Sequence, residues 1–345
     1  MIKFINQYLI DEEFTYDKRI KLLRERKIVQ TEQKAKVQGG ANEDDYGLIL
    51  QDDFNYKLEP NHPNGSIYGY EGWTKNYCKV LEQHPLYCDP LDAFVGKGFF
   101  FMERLRPVDF KWNPAYPYDD LKVFFDKFNI ISGIDNCHHF TPDLQIGFDL
   151  GWGGILKKLK KQKELHDKSH AKFYNSEIAV VEAIISFLKR ISSELRHLSD
   201  IERNPQLKQN LKEMALINEK VADKPPETFR EAIQWMCWFS MLSRTYNRGS
   251  AGGQLDEMLK PYFQLAGPDG KGGDITSKIS YLALEAADKI NIACNLTIRL
   301  HDNINKDFFN KSVAYLFKNK QGWPRYSSDS ALSEGFMRCG YTKEL

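Results

Sequence analysis

Lys224-Pro225-Pro226-Glu227-Thr228-Phe229-Arg230-Glu231-Ala232 is the stretch on which the fold turns. Two adjacent prolines cannot sit inside a helix, but they suit its start, where the missing N–H groups have no partner, and Glu227 suits the positive end of the helix dipole. A buried helix is expected to follow through Trp235, Met236, Trp238 and Phe239, with Trp235, Trp238 and Phe239 in its packing core.

Upstream, apolar residues recur at Ile178, Val181, Ile184, Ile185, Leu188, Ile191 and Leu195, the three-and-four spacing of a long amphipathic helix. Leu207, Leu211, Met214 and Ile217 predict a second. Residues 12–37 and Glu71–Gln83 also have helical spacing, whereas 39–70 are rich in Gly, Asn, Asp and Pro and predict turns. Pro85–Cys88 and Ala93–Gly96 read as short extended pieces, and Asp143 as a residue bracing a turn. Downstream, Ile275–Ile290 predicts a helix, the alternating β-branched run Ile292–Leu300 a strand, and Ala331–Arg338 a last helix. Strands isolated between helices imply a helix-rich α/β layout.

The 345 residues are 42% hydrophobic and 28% charged, the balance of a globular protein, and carry a formal net charge of +1. Near-neutrality provides no field to hold a phosphate backbone, which argues against a nucleic-acid partner. The basic run Lys157-Lys158-Leu159-Lys160-Lys161 reads as a solvated helix face. No apolar run has the length of a membrane span, and the N-terminus shows no secretion signal. The six cysteines (78, 88, 137, 237, 294, 339) never approach CxxC spacing, so no metal site is expected and the natural setting is a reduced cytoplasm.

Several ordered segments carry a family resemblance. They are Arg26–Lys34; Val80–Tyr87 with Asp92–Gly96; His139-Phe140-Thr141-Pro142-Asp143 with Gly151 and Gly154-Ile155; and Lys224–Ala232. Gly253-Gln254-Leu255-Asp256-Glu257-Met258-Leu259-Lys260-Pro261-Tyr262, Asn295–Arg299 and Gly335…Gly340-Tyr341-Thr342 follow. In this order they resemble the front part of a glycyl radical enzyme of the pyruvate formate-lyase class. The resemblance implies the N-terminal half of a ten-stranded β/α barrel within one domain, with 1–135 as peripheral helices and loops and 136–345 as helices and the first barrel strands. It also implies a lyase or dehydratase acting on a small hydroxylated or anionic molecule. In such enzymes a backbone glycyl radical oxidises a cysteine to a thiyl, which removes a hydrogen atom from an unreactive C–H inside a sealed chamber.

Two departures qualify the likeness. The family's reactive cysteine loop is missing, since Cys339 lies in an expected helix, and no Arg-Val-x-Gly occurs in the 345 residues. The resemblance therefore implies a C-terminal half bearing the cysteine and glycine, as a missing part of the same protein or as a second chain, a radical S-adenosylmethionine activase to install the radical, and no cofactor bound by this chain. Substrate-holding candidates are His139, Arg248, Ser250, Asn295, Thr297 and Arg299. His139 is a general acid–base or donor group, with a loop-fixing histidine as its structural alternative. Arg248 offers a planar fork that matches carboxylate or phosphate, with a structural ion pair as its alternative. Ser250 lies in Ser250-Ala251-Gly252-Gly253-Gln254, where the family commonly has "S.GR". Gly249, Gly252 and Gly253 serve a tight turn or an anion cradle. Asn295, Thr297 and Arg299 share one face of the expected strand, and a one-residue shift of register would present Leu296 and Ile298 instead. The rival reading is a non-catalytic scaffold that keeps the fold without the radical residues; a transferase is disfavoured by the lack of an adjacent cysteine pair.

Overall fold

A computed structural model describes residues 15–38, 56–63, 65, 67, 69–96, 119–129, 142–246, 258–262, 278–290, 296–319 and 324–342. The chain forms two compact units, one built mainly from 45–263 and the other from 14–44 with 264–345.

The first unit is helical. Helices α2 (Gly69–Gln83), α4 (Gln145–Leu165) and α6 (Pro205–Val221) pack around α5 (Ala171–Ile201), and α7 (Phe229–Tyr246) packs on α6; α3 (Asp119–Phe128) belongs to the same unit. The apolar stripe expected on α5 is the core of this unit, with Ile184, Leu188, Ile191 and Leu195 all buried. Trp235 and Trp238 of α7 are buried as expected, and Trp238 donates its indole N–H to Asn218 Oδ1 (2.6 Å), which satisfies both groups in the interior.

The helix after the double proline begins later than its prolines suggest. Phe229 is its first residue, and Thr228-Phe229-Arg230-Glu231 forms a reciprocal cap. The Glu231 carboxylate accepts the N–H groups of Glu227 (2.8 Å) and Thr228 (3.1 Å), while Thr228 Oγ1 accepts from Glu231 N (3.3 Å). Lys220 of α6 closes the knot with ion pairs to Glu231 (2.8 Å) and Glu227 (2.6 Å). Glu231 therefore does the work at the helix dipole that Glu227 was expected to do. Burial alone would raise the Glu231 carboxyl, but Lys220 and the two backbone donors outweigh it and hold it below the usual range.

Of helix α4 only the basic run 157–161 was expected, as the solvated helix face it is; the first half of the helix was not, and its glycines explain why. Gly151 breaks it with φ 60° and ψ 175°, a conformation essentially restricted to glycine. A Cβ on Gly151 would lie 2.4 Å from the Lys224 carbonyl carbon, and Gly153 donates its N–H to Asp223 O (2.8 Å). The residues that disfavour the helix locally are those that let it lie against the 223–225 turn.

Neither Pro85–Cys88 nor Ala93–Gly96 belongs to a sheet. Side chains replace a strand ladder: Gln234 exchanges hydrogen bonds with Val95 N and O (2.9 and 2.7 Å), and Asn210 donates to Pro90 O and Asp92 O (2.9 and 2.7 Å). Arg190 donates to the carbonyls of Leu81, Glu82 and His84 (2.9, 2.5 and 3.2 Å), capping the C-terminus of α2.

The second unit pairs helix α1 (Tyr16–Gln38) with α8 (Lys278–Ile290) through Lys289. Its ammonium meets Asp17 (2.9 Å) and Glu285 (2.9 Å). Strand β1 (Thr297–Leu300) is followed by α9 (Lys306–Asn319), β2 (Arg325–Ser328) and α10 (Asp329–Arg338). The two strands run parallel in register, with Thr297 opposite Arg325, Ile298 opposite Tyr326, Arg299 opposite Ser327 and Leu300 opposite Ser328. The expected strand 292–300 is present at its C-terminal end, and residues 291–295 lie outside the described ones. Among the described residues no helix is long and apolar enough to cross a membrane.

Candidate functional site

Side chains of a strand alternate between its faces, so the pairing divides this short sheet cleanly. One face carries Ile298, Leu300, Tyr326 and Ser328. Helix α9 covers it: the Tyr326 ring meets Phe309 edge-on (5.6 Å between centroids), and its hydroxyl shares a hydrogen bond with buried Ser312 (2.9 Å). Ile298 is buried on this side. The opposite face carries Thr297, Arg299, Arg325 and Ser327, of which Thr297 and Arg325 are exposed.

Both guanidinium groups lie on that polar face. Arg299 is held by Asp329 at the start of α10, Nε to Oδ1 at 3.0 Å, with about a third of each side chain exposed. This ion pair links a strand residue to the first turn of the helix after the neighbouring strand, where a carboxylate also suits the dipole. Ser328 caps the same helix by accepting the N–H of Ala331 (3.3 Å). The arrangement can hold an anion or a hydroxylated molecule through guanidinium and hydroxyl donors.

Of the sequence candidates, Thr297 and Arg299 fall together on this face. His139, Arg248, Ser250 and Asn295 lie outside the described residues, as do Gly249, Gly252 and Gly253. Asp143 braces a turn, its Oδ1 accepting Gln145 N–H (3.1 Å) ahead of α4. Cys339 is the residue just past α10 and is exposed; Cys78, Cys88, Cys237 and Cys339 are free thiols. Burial raises the Cys88 thiol well above its usual range, so it is a packing residue and no nucleophile. The sequence reasoning missed Arg325 and Ser327. Their signal is the alternation Arg325-Tyr326-Ser327-Ser328, two polar residues on the face opposite an aromatic. Among the described residues no cluster of His, Cys, Asp and Glu is arranged to hold a metal ion.

Known proteins share this architecture. A family model for pyruvate formate lyase-like proteins matches residues 134–266 and 263–345. The (2S)-3-sulfopropanediol dehydratase of Klebsiella oxytoca is 24% identical over 249 residues, covering 57% of this chain and 30% of that protein. The 4-hydroxyphenylacetate decarboxylase glycyl radical subunit of Clostridium scatologenes is 26% identical over 186 residues, covering 49% of this chain and 20% of that one. Among solved structures, the B12-independent glycerol dehydratase from Clostridium butyricum superposes with a TM-score of 0.62 over 97% of this chain at 17% identity, which shows the fold. The chain spans 54% of that structure, and a third or less of the curated relatives just named. With the matched residues running from 134 to 345, more than half of its length, the chain belongs to the pyruvate formate lyase-like family of glycyl radical enzymes.

Proposed function

We propose that this chain is the substrate-holding part of a glycyl radical lyase or dehydratase, the N-terminal half of a ten-stranded β/α barrel within a single domain. The thiyl cysteine and the radical glycine come from further polypeptide, and a radical S-adenosylmethionine activase installs the radical in a reduced cytoplasm. The observation that supports this most is the sheet itself. Parallel strands occur almost always in sheets covered on both faces and extended by further strands, yet here one face is packed by α9 and the other presents Thr297, Arg299, Arg325 and Ser327. Such a face fits the wall of a chamber that other strands complete.

The chemistry required of this wall is positioning. Arg325 and the Arg299–Asp329 pair would hold an anionic or hydroxylated substrate so that one C–H sits beside the sulfur supplied from elsewhere. The relatives named for (2S)-3-sulfopropanediol and 4-hydroxyphenylacetate act on molecules that carry a negatively charged group, which agrees with two guanidinium groups here. Keeping water away from the radical falls to the assembled chamber.

The test is anaerobic isolation of the native protein, followed by mass spectrometry and electron paramagnetic resonance after activation. A polypeptide with a reactive cysteine and an Arg-Val-x-Gly segment, continuous with or bound to this chain, together with a glycyl radical signal, is the expected result. A chain that is complete and stable alone and never yields the signal overturns it. The second reading, a non-catalytic scaffold, has one observation in its favour: the segment 224–232 and the glycines of α4 serve packing and capping in the first unit. The radical signal separates the two.

A further inference from the structure

Helices α2, α4, α5 and α7 of the first unit line an open cavity of about 710 Å³, remote in sequence from the strand pair. Tyr70 and Trp73 of α2, Trp152 and Ile155 of α4, and Phe239 of α7 contribute to its walls, and Glu177 of α5 is the one carboxylic acid among its described lining residues. The walls are preorganised. Trp152 stacks on buried Trp235 (5.1 Å between centroids, 27° between planes), Trp235 stacks in turn on Phe239 (5.7 Å, 15°), and Tyr70 meets Phe173 edge-on (5.9 Å).

Glu177 is out of keeping with these surroundings. Partial burial raises its carboxyl above the usual range, and among the described residues neither a neighbouring cation nor a hydrogen bond offsets that rise. By contrast the carboxyl groups of Glu59, Asp167, Glu213 and Glu231 in this unit are held low by a lysine, an arginine or a local donor, as Glu59 is by Lys75 and Lys79. A carboxylate half removed from water calls for a counter-charge. Aromatic faces carry negative quadrupole density and so attract cations and repel anions. A concave, mostly apolar space with one well-placed polar group is the usual form of a small-molecule site.

We propose that this cavity binds a small organic cation, an ammonium carried on an apolar body, with Glu177 as counter-ion and the aromatic side chains as the walls around it. The site is independent of the radical chemistry, so either can fail without the other.

The test is calorimetric titration of the full chain with benzyltrimethylammonium, benzyl alcohol and phenylacetate. The cation should bind, the alcohol should bind at least about tenfold more weakly, and phenylacetate should not bind. Glu177→Gln should weaken the cation about tenfold and leave the alcohol unchanged. Phe239→Leu keeps an apolar wall but removes a π face, so it should weaken the cation alone, and it serves if the first variant does not fold. Equal binding of alcohol and cation, or retained cation affinity in a folded Glu177→Gln, overturns the proposal. Nα-acetyl-lysine methylamide presents the same charge on a peptide. If it binds more tightly than the quaternary ammonium, a small-molecule ligand is excluded in favour of a protein side chain.

Discussion

The indole of Trp235 fills the space in which a side chain at position 147 would begin: a Cβ built on Gly147 would lie 1.9 Å from Trp235 Cη2. The two residues come from α4 and α7, and their contact sets how closely these helices approach. Gly147→Ala should therefore cost about 1–3 kcal/mol through overpacking. Adding Trp235→Leu should recover part of that loss, because the ring is what the methyl group meets. A double-mutant cycle in urea checks this, and additive effects would show that the contact does not set the spacing.

At Gly151 the obstacle is backbone. Its left-handed φ, together with 2.4 Å from a built Cβ to the Lys224 carbonyl carbon, leaves no flexible side chain to move aside. Gly151→Ala should cost about 3 kcal/mol or more. Truncating neighbouring side chains should not rescue it, in contrast to position 147. Chemical denaturation of both variants side by side is the measurement.

His84 gives the first unit a dependence on pH. Burial, with Arg190 close by, brings its imidazole down to about 4, although its Nδ1–H donates to Pro85 O (2.8 Å). An unfolded histidine titrates near 6.5, so between about pH 6.5 and 4 the unfolded chain binds the extra proton. Stability is thus undiminished by this group above about pH 6.5 and falls as the pH drops towards 4, by roughly 3 kcal/mol at most. His84→Gln should flatten this part of the profile. A wild-type urea midpoint constant from pH 7 to pH 4.5 would contradict the assignment.

Glu231 links a helix cap to an ion pair, and the side chain is only 11% exposed. Glu231→Ala removes the acceptor for two backbone donors and leaves Lys220 with Glu227 alone. A loss of about 2 kcal/mol is expected. Because its folded carboxyl is held low, the contribution is present above the unfolded carboxylate range and fades as the pH falls through the folded value. Thermal melts at pH 7 and pH 3 should differ less for the variant than for the wild type.

On the strand pair, the proposed substrate wall makes a kinetic prediction for the activated assembly. Arg325→Gln should raise KM for an anionic substrate roughly tenfold, with a smaller effect on a neutral one. Arg299→Gln should also loosen the start of α10, since it removes the partner of Asp329. Equal losses for charged and neutral substrates would remove Arg325 from the wall.

Much of this architecture follows from local patterns. The stripe from Ile178 to Leu195 marks α5, and Leu207 to Ile217 marks α6, because each is an amphipathic run that has to bury one side. Thr228 and Glu231 form a capping box that spacing alone can reveal. The first half of helix α4 was hidden because Gly147, Gly151 and Gly153 answer to Trp235, Asp223 and Lys224, residues seventy or more positions away. Around the two extended pieces Pro85–Cys88 and Ala93–Gly96 the support is likewise distant. Part of the backbone there is satisfied by the side chains of Asn210, Gln234 and Arg230, which no periodicity announces. Strand β2 has four residues and gains meaning only from β1, so its polar pair Arg325 and Ser327 could not be placed beside Thr297 and Arg299 from sequence alone.

Two parallel strands cannot be joined by a tight hairpin; each further strand of the same sense must return the chain across the sheet first. In the second unit α9 is that return path between β1 and β2, and α10 leaves β2 in the manner of another. Any enlargement of this ribbon in the same sense therefore comes in whole strand-and-crossover steps. A short peptide offered to its rim would gain the ladder bonds without the helical cover that parallel strands require, and would make a poor mimic of the natural neighbour.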